Sequence, residues 1–330
     1  MTDKFDERKI TWIAVLQGWS MLLVILGHVN LNNQLIDTAH PLANWIHSTV
    51  YSFHMPLFML ISGYLLYMTR IAKKWGYGKL IVDKLKRLYV PMLFFTVLTF
   101  AAKVIFAPLM KHPEQLTISH LADTFLFYKI NPLVEMWFVI SLLVIMTLYP
   151  LYRKACEKLV YELIFFAVLV IINIIDIKIQ YFQLNYVAYM LPFFYCGVLI
   201  CKYDITKYIS NIGALIVCTL LFFAALEFDN NVPSQLLALF GILFSLSLCI
   251  NLTKVMPKLF SSFRDYTYQI FLMGIFCQMG VIYLYSKEPN IIPYWILYML
   301  SITLGINIPV VISKDIKIVM RKRPFGFNIS

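Results

Sequence analysis

Charge is what this 330-residue sequence has least of: only 14% of its residues are Asp, Glu, Lys or Arg, about half the share of a soluble globular protein. Glycine is sparse as well, 12 residues in all. Nothing in its placement suggests a collagen-like period, a flexible linker or a low-complexity tract. No Walker-type or dinucleotide-type glycine motif is present, which argues against ATP-driven and redox chemistry. The six cysteines (Cys156, Cys196, Cys201, Cys218, Cys249, Cys277) have neither zinc nor redox spacing. Most lie in apolar runs, where a free thiol behaves as a small hydrophobe. A disulfide framework and a metal site are therefore not expected.

What is present is apolar. Hydrophobic residues make up 61% of the chain and aromatic ones 16%, with a mean hydropathy of +0.76. A soluble domain of this length could not hide that much apolar surface. A membrane-spanning helix needs roughly 20 mostly apolar residues. Ten such segments stand out, at about 11–30, 44–68, 88–110, 133–152, 160–179, 186–201, 208–227, 233–252, 266–285 and 291–313. The expectation is an all-α, polytopic integral membrane protein of about ten transmembrane helices, forming a single membrane-embedded domain over 1–330. The first segment is too long for a signal peptide and lacks a small-residue cleavage site, so it is expected to remain as the first helix.

The formal net charge is +11, yet nucleic acid is not the expected partner. The basic residues sit between the apolar runs, as topology signals and contacts to membrane lipid headgroups. Twenty-three of the 28 fall in alternate gaps. Only Lys111, Lys129, Lys178 and Lys287 fall in the others, and Lys103 lies within a segment. That asymmetry places both termini in the cytoplasm of a bacterial-type plasma membrane.

Polar residues inside spans are functional candidates because the bilayer penalises them. The first segment carries Gln17 and His28, 11 residues apart. On a helix that is three turns, so both lie on one stripe with Met21, Val24 and Ile25, about 16 Å apart along the axis. His28 has two readings: an interfacial imidazole bonded to a loop, or a general base for a hydroxyl. In the second segment, SFHMPLFMLISGYL, His54 precedes Pro56, a residue able to kink a helix. Either His54 is a satisfied histidine at a packed kink, or it lines a cavity with Ser62 and His28. Lys84, Lys86 and Arg87 precede the third segment. They are ordinary inner-loop charge or a holder of phosphates. Glu135 and Trp137 open the fourth segment from the outer side, and Glu135 is a candidate substrate contact. The outer gap 31–43, with Asn32, Asn33, Gln34, Asp37 and His40, suits sugar hydroxyls or an ordinary polar loop.

LVILGH ending at His28, then SFHMPLFMLISGYL, then DKLKRLYVP resembles the membrane acyltransferase-3 family, in particular sugar O-acetyltransferases related to fucose 4-O-acetyltransferases. The match is strong over residues 11–95, with echoes in MWFVISLL at 136–143 and FRDYTYQIFLM at 263–273. The resemblance implies transfer of an acyl group, usually acetyl from cytoplasmic acetyl-CoA, to a hydroxyl of an extracytoplasmic or lipid-linked glycan. His28 matches the family's essential histidine. Gln17 stands where the family has an arginine, Lys84 and Arg87 where it has an Arg-x-x-Arg pair associated with the acyl-CoA, and Gly274 where a late histidine is common. CoA phosphates are expected near Lys84 and Arg87, the thioester arm along the Gln17–His28 stripe, and His28 as base or acyl carrier. His54 would orient His28 or the substrate. A glycan transporter of the same fold shares the Pro-broken spans and buried polar groups. A non-catalytic membrane subunit is the third reading.

Overall fold

The computed structural model describes residues 2–29, 32–33, 36–37, 41–109, 136–175, 179, 184–228, 232–287 and 293–315. Among these, thirteen α-helices follow one another: α1 Thr2–His28, α2 Pro41–Tyr51, α3 His54–Leu66, α4 Tyr77–Lys84, α5 Val90–Phe106, α6 Trp137–Thr147, α7 Tyr149–Ala155, α8 Leu159–Ile174, α9 Leu184–Tyr203, α10 Ile212–Glu227, α11 Ser234–Val255, α12 Thr267–Lys287 and α13 Tyr294–Asp315. One π-helical turn, Tyr67–Ile71, follows α3 and another, Leu85–Tyr89, joins α4 to α5. Among the described residues the strands are a bridge of two residues each, Asn32–Asn33 antiparallel to Ile36–Asp37. The all-α integral membrane architecture expected from composition is what the chain forms.

Each of the ten apolar segments has a helical counterpart, but length separates them. Seven described helices are long and apolar enough to cross a membrane, or eight when the bent pair α6–α7 is one span. The helices α8 and α10 have 16 residues each, about 24 Å of rise, short of a hydrocarbon layer of about 30 Å.

The chain packs as two compact units, residues 1–58 with 205–330, and residues 59–204. In the first, α1 is the central helix, packed by α2, α11, α12 and α13. Its side chains are accordingly apolar nearly all round: Ile13, Val15, Leu16 and Met21 are fully buried. Met21, Val24 and Ile25 share a core with Phe263, Ile270, Ile306 and Val310. That core surrounds the same stripe on which Gln17 and His28 lie.

In the second unit α9 packs on α6 and α8. Its buried rings interlock with α7, Tyr152 lying 5.4 Å from Phe194 and 6.0 Å from Tyr195 between centroids. The crossing of α3 and α9 is built on two glycines. A Cβ added at Gly63 would lie 2.8 Å from the Phe194 carbonyl carbon, and one at Gly197 would lie 2.8 Å from the Leu60 carbonyl carbon. Only glycine lets two backbones meet that closely.

Pro56 acts differently from the expected mid-segment kink. The second segment is interrupted at Ser52–Phe53, and α3 begins at His54. Pro56 therefore lies in the first turn of α3, where an N–H has no helical partner to lose.

Candidate functional site

The C-terminus of α1 fixes His28. The last four carbonyls of a helix have no partner within it. Here three of the four are taken by side chains from three other helices. Gln278 Nε2 donates to the Ile25 carbonyl at 2.9 Å. The Tyr298 hydroxyl and the Val29 N–H donate to Leu26 at 3.4 and 3.3 Å. His47 Nδ1 donates to Gly27 at 2.7 Å. Gln278 is 1% exposed, so its bond to α1 is screened from solvent and correspondingly valuable.

His28, half-buried, turns its Nδ1 back onto the Val24 carbonyl one turn earlier, at 2.7 Å. A carbonyl only accepts, so Nδ1 carries the hydrogen and the neutral ring has its lone pair on Nε2. His54 repeats the device: its buried ring donates from Nδ1 to the Val50 carbonyl at 2.8 Å. These two histidines, both chosen from sequence, do come together. Between them lies Tyr51, its ring centroid 5.9 Å from that of His28 and 4.8 Å from that of His54. His47 completes the group, 4.0 Å from Tyr51. Three imidazoles thus surround one phenol, with every Nδ1 committed to a backbone carbonyl.

Sequence reasoning missed His47 and Tyr51. Their only sequence signal was spacing: His47, Tyr51 and His54 fall at i, i+4 and i+7, one face of a helix. Gln17 is nearly buried, 8% exposed, three turns below His28. Ser62 is buried too, but belongs to the second unit. Glu135 lies outside the described residues.

Lys84 and Arg87 lie in the second unit around a carboxylate. Asp83 pairs with Arg87 Nε at 2.8 Å and with Arg70 Nη2 at 3.2 Å. Lys84 is close enough to Arg70, Asp83 and Arg87 to interact electrostatically. Three cations facing one anion leave a net positive cluster. Arg70 is 9% exposed and its guanidinium lies 3.4 Å over the Trp75 ring. Its Nε has no partner among the described residues. Lys79 also reaches Trp75, at 4.4 Å, while the Tyr149 hydroxyl ties the turn by bonding to the Arg70 and Trp75 carbonyls. The sequence counted Arg70 among the topology charges; the fold returns it to Lys84 and Arg87. Such a cluster suits phosphate oxygens.

A second polar cluster in that unit joins α8 to α9. Lys202 donates to both oxygens of Glu162, at 2.9 and 3.1 Å, and to the Cys156 carbonyl at 3.0 Å. The Tyr203 hydroxyl also donates to Glu162. Burial pushes the Cys156 thiol up to about 11. Among the described residues, no group of three His, Cys, Asp or Glu is placed to hold a metal ion.

Gly274 has a structural reason. A Cβ there would meet the Gly305 carbonyl oxygen and Ile25 Cδ1, each at 2.9 Å. No histidine fits at this crossing of α1, α12 and α13. One turn on, the same face of α12 carries Gln278, which reaches α1 instead.

The sequence matches the family model described as an acyltransferase domain over residues 10–314, a range that runs through both compact units. The chain belongs to the acyltransferase-3 family. It is also 35% identical over 102 residues to the nodulation protein NolL of Sinorhizobium fredii (strain NBRC 101917 / NGR234). That alignment covers 30% of this chain and 26% of NolL, so the chain spans about a quarter of the relative's length. No solved structure matches the chain.

Proposed function

We propose that this protein is a membrane O-acyltransferase that moves an acyl group, acetyl from cytoplasmic acetyl-CoA, to a hydroxyl of an extracytoplasmic or lipid-linked glycan. Membership of the acyltransferase-3 family supports the reaction class. The observation that carries the assignment of roles is the fixed tautomer of His28, whose Nδ1 is held by the Val24 carbonyl. Nε2 is then the atom that takes the acceptor's proton. The acceptor oxygen attacks the thioester carbonyl, the C–S bond breaks, and the departing CoA sulfur recovers the proton from the imidazolium. In the alternative route His28 Nε2 first accepts the acyl group and then passes it to the hydroxyl.

Lys84, Arg87 and, beside them, Arg70 hold the phosphates of the donor. They replace water around the anion with fixed positive charge. Asp83 keeps Arg70 and Arg87 pointed at a common place. His54 supports His28 through Tyr51, and Gln17 contributes a hydrogen bond to the donor arm. The distribution of Lys and Arg supports both termini in the cytoplasm of a bacterial-type plasma membrane.

The test uses membranes containing the full-length protein, labelled acetyl-CoA and surface glycans from the producing cells. Label is expected in glycan, lost with His28→Ala by at least 100-fold. The Lys84→Ala plus Arg87→Ala pair is expected to raise KM for acetyl-CoA and leave KM for acceptor unchanged. Normal transfer by folded, inserted His28→Ala protein would refute the mechanism. Glycan crossing the membrane without label would point to transport.

A further inference from the structure

Amide side chains within the spans reach across to neighbouring helices. Asn173 Nδ2 of α8 donates to the Tyr189 carbonyl of α9 at 2.8 Å, and Gln278 of α12 to Ile25 of α1 at 2.9 Å. Asn307 of α13 does not. Among the described residues its amide makes one bond, from Nδ2 to the Thr303 carbonyl of its own helix at 3.0 Å. Its side chain is exposed. The apolar span is Tyr294–Lys314, 21 residues, so Asn307 stands three residues past the middle, about 4.5 Å. Helical spacing puts Ile296, Leu300, Thr303, Asn307 and Val311 on one face, and all five are exposed. The opposite face turns inward: Ser301 is fully buried, and a Cβ at Gly305 would lie 3.0 Å from Gln278 Cγ of α12. The amide therefore points away from α12 at the depth of the hydrocarbon. No water pairs with it there, and an unsatisfied polar group is costly. Polar groups at such depth normally face protein.

We propose that this face of α13 docks against α13 of a second copy of the chain, with Asn307 paired to Asn307 across a two-fold axis along the membrane normal. A carboxamide both donates and accepts. With one Nδ2 hydrogen spent on Thr303, the second hydrogen and Oδ1 remain, so two such amides satisfy each other reciprocally. Two copies inserted in one membrane share one orientation. Their α13 helices therefore run parallel, and identical residues lie at identical depth. A two-fold contact brings the same patch of each copy together, which sets Asn307 opposite its own counterpart without any shift in register. The patch tolerates meeting itself: Ile296, Leu300, Thr303 and Val311 carry no charge. Thr303, one turn from the amide, is small enough to let the helices approach. The apolar residues on either side give packing, and the single amide pair fixes register and partner. This surface is separate from the groups assigned to chemistry above.

The experiment measures energy transfer between donor- and acceptor-labelled full-length protein in lipid vesicles, over a series of protein-to-lipid ratios. Wild-type protein is expected to associate as a dimer. Asn307→Leu, which keeps the volume and removes the amide, is expected to raise the apparent dissociation constant roughly 10-fold, the worth of two interhelical hydrogen bonds. Asn307→Gln keeps both hydrogen-bonding functions and should retain most of the association. Leucine on a lipid-facing surface does not threaten folding, so the melting midpoint of Asn307→Leu in detergent should be no lower than that of the wild type. In a cysteine-free background, oxidation should cross-link Leu300→Cys between copies and leave Leu220→Cys, on the exposed face of α10, uncoupled. Energy transfer at the chance level at every dilution would overturn the proposal, as would wild-type association by folded Asn307→Leu. Cross-linking through Leu220→Cys in place of Leu300→Cys would place the contact elsewhere and overturn it too. A wild-type chain that is single, and whose Asn307→Leu variant instead sheds a different membrane protein, would refute the second copy as the occupant.

Discussion

Replacing Gly63 by alanine should separate α3 from α9, and the geometry says by how much. The new Cβ would lie 2.8 Å from the Phe194 carbonyl carbon and 3.3 Å from the Val198 nitrogen. Carbon atoms in favourable contact lie about 3.5–4.0 Å apart, so the helices must part by roughly 1 Å. Their obstacle is backbone, which no rotamer change can move aside. Around the crossing Leu60, Tyr64, Phe194 and Val198 are all buried to 1% exposure or less, and each loses contacts as the gap opens. Within a bilayer the lost term is packing rather than hydrophobic transfer, since lipid tails are as apolar as leucine. Overpacking typically costs 1–3 kcal/mol, and with backbone on both sides the upper end, about 3 kcal/mol, is expected here. Gly197→Ala meets the reciprocal obstacle at Leu60 and Tyr64 and should cost a similar amount. The double variant should fall well short of the sum, because the first alanine has already opened the crossing. Gly280 supplies the control: it lies in α12 with nothing within 4 Å of an added Cβ, so alanine there should stabilise by up to about 1 kcal/mol through helix propensity. Thermal unfolding of the purified protein in detergent, followed by size-exclusion chromatography, reads all four variants. An unchanged midpoint for Gly63→Ala, or equal effects at Gly63 and Gly280, would refute the reasoning.

Two further outcomes can be checked away from the catalytic groups. Glu162→Ala leaves Lys202 partly buried without its counter-ion and should destabilise by about 3 kcal/mol, whereas Glu162→Gln, which keeps an acceptor, should cost less; denaturation midpoints decide, and equal effects would show that charge is not the issue. At pH 8 a thiol titrating near 11 is about one part in a thousand thiolate, against roughly a quarter for an ordinary cysteine. Because the shift is upward, reactivity should climb steadily from pH 8 towards pH 11. Maleimide labelling of a variant retaining only Cys156 should therefore run roughly 100-fold below that of an ordinary cysteine at pH 8, and rapid labelling there would contradict the placement of Cys156.

Much of the fold was legible because hydropathy acts on one helix at a time. The described parts of the apolar runs are helical, the second and fourth as broken pairs, and the stripe joining Gln17 to His28 follows from helical periodicity alone. Span number was less legible, since α8 and α10 stop at 16 residues. Of the candidate site, His28 and His54 were singled out as ionisable groups within apolar runs, and they meet at Tyr51. His47 was passed over inside the same segment, and Arg70 was counted as a loop charge.

By itself, then, the sequence determined that the chain is helical and membrane-embedded, and that ionisable groups punctuate its first two apolar segments. Tertiary structure alone decided that Gln278, Tyr298 and His47 converge on the last turn of α1, that three imidazoles enclose one phenol, and that Arg70 returns to Asp83. Apolar run length and helical period are properties of neighbours along the chain. Convergence depends on where helices cross, which is set by close approaches such as those of Gly63, Gly197 and Gly274, between residues that no local pattern relates.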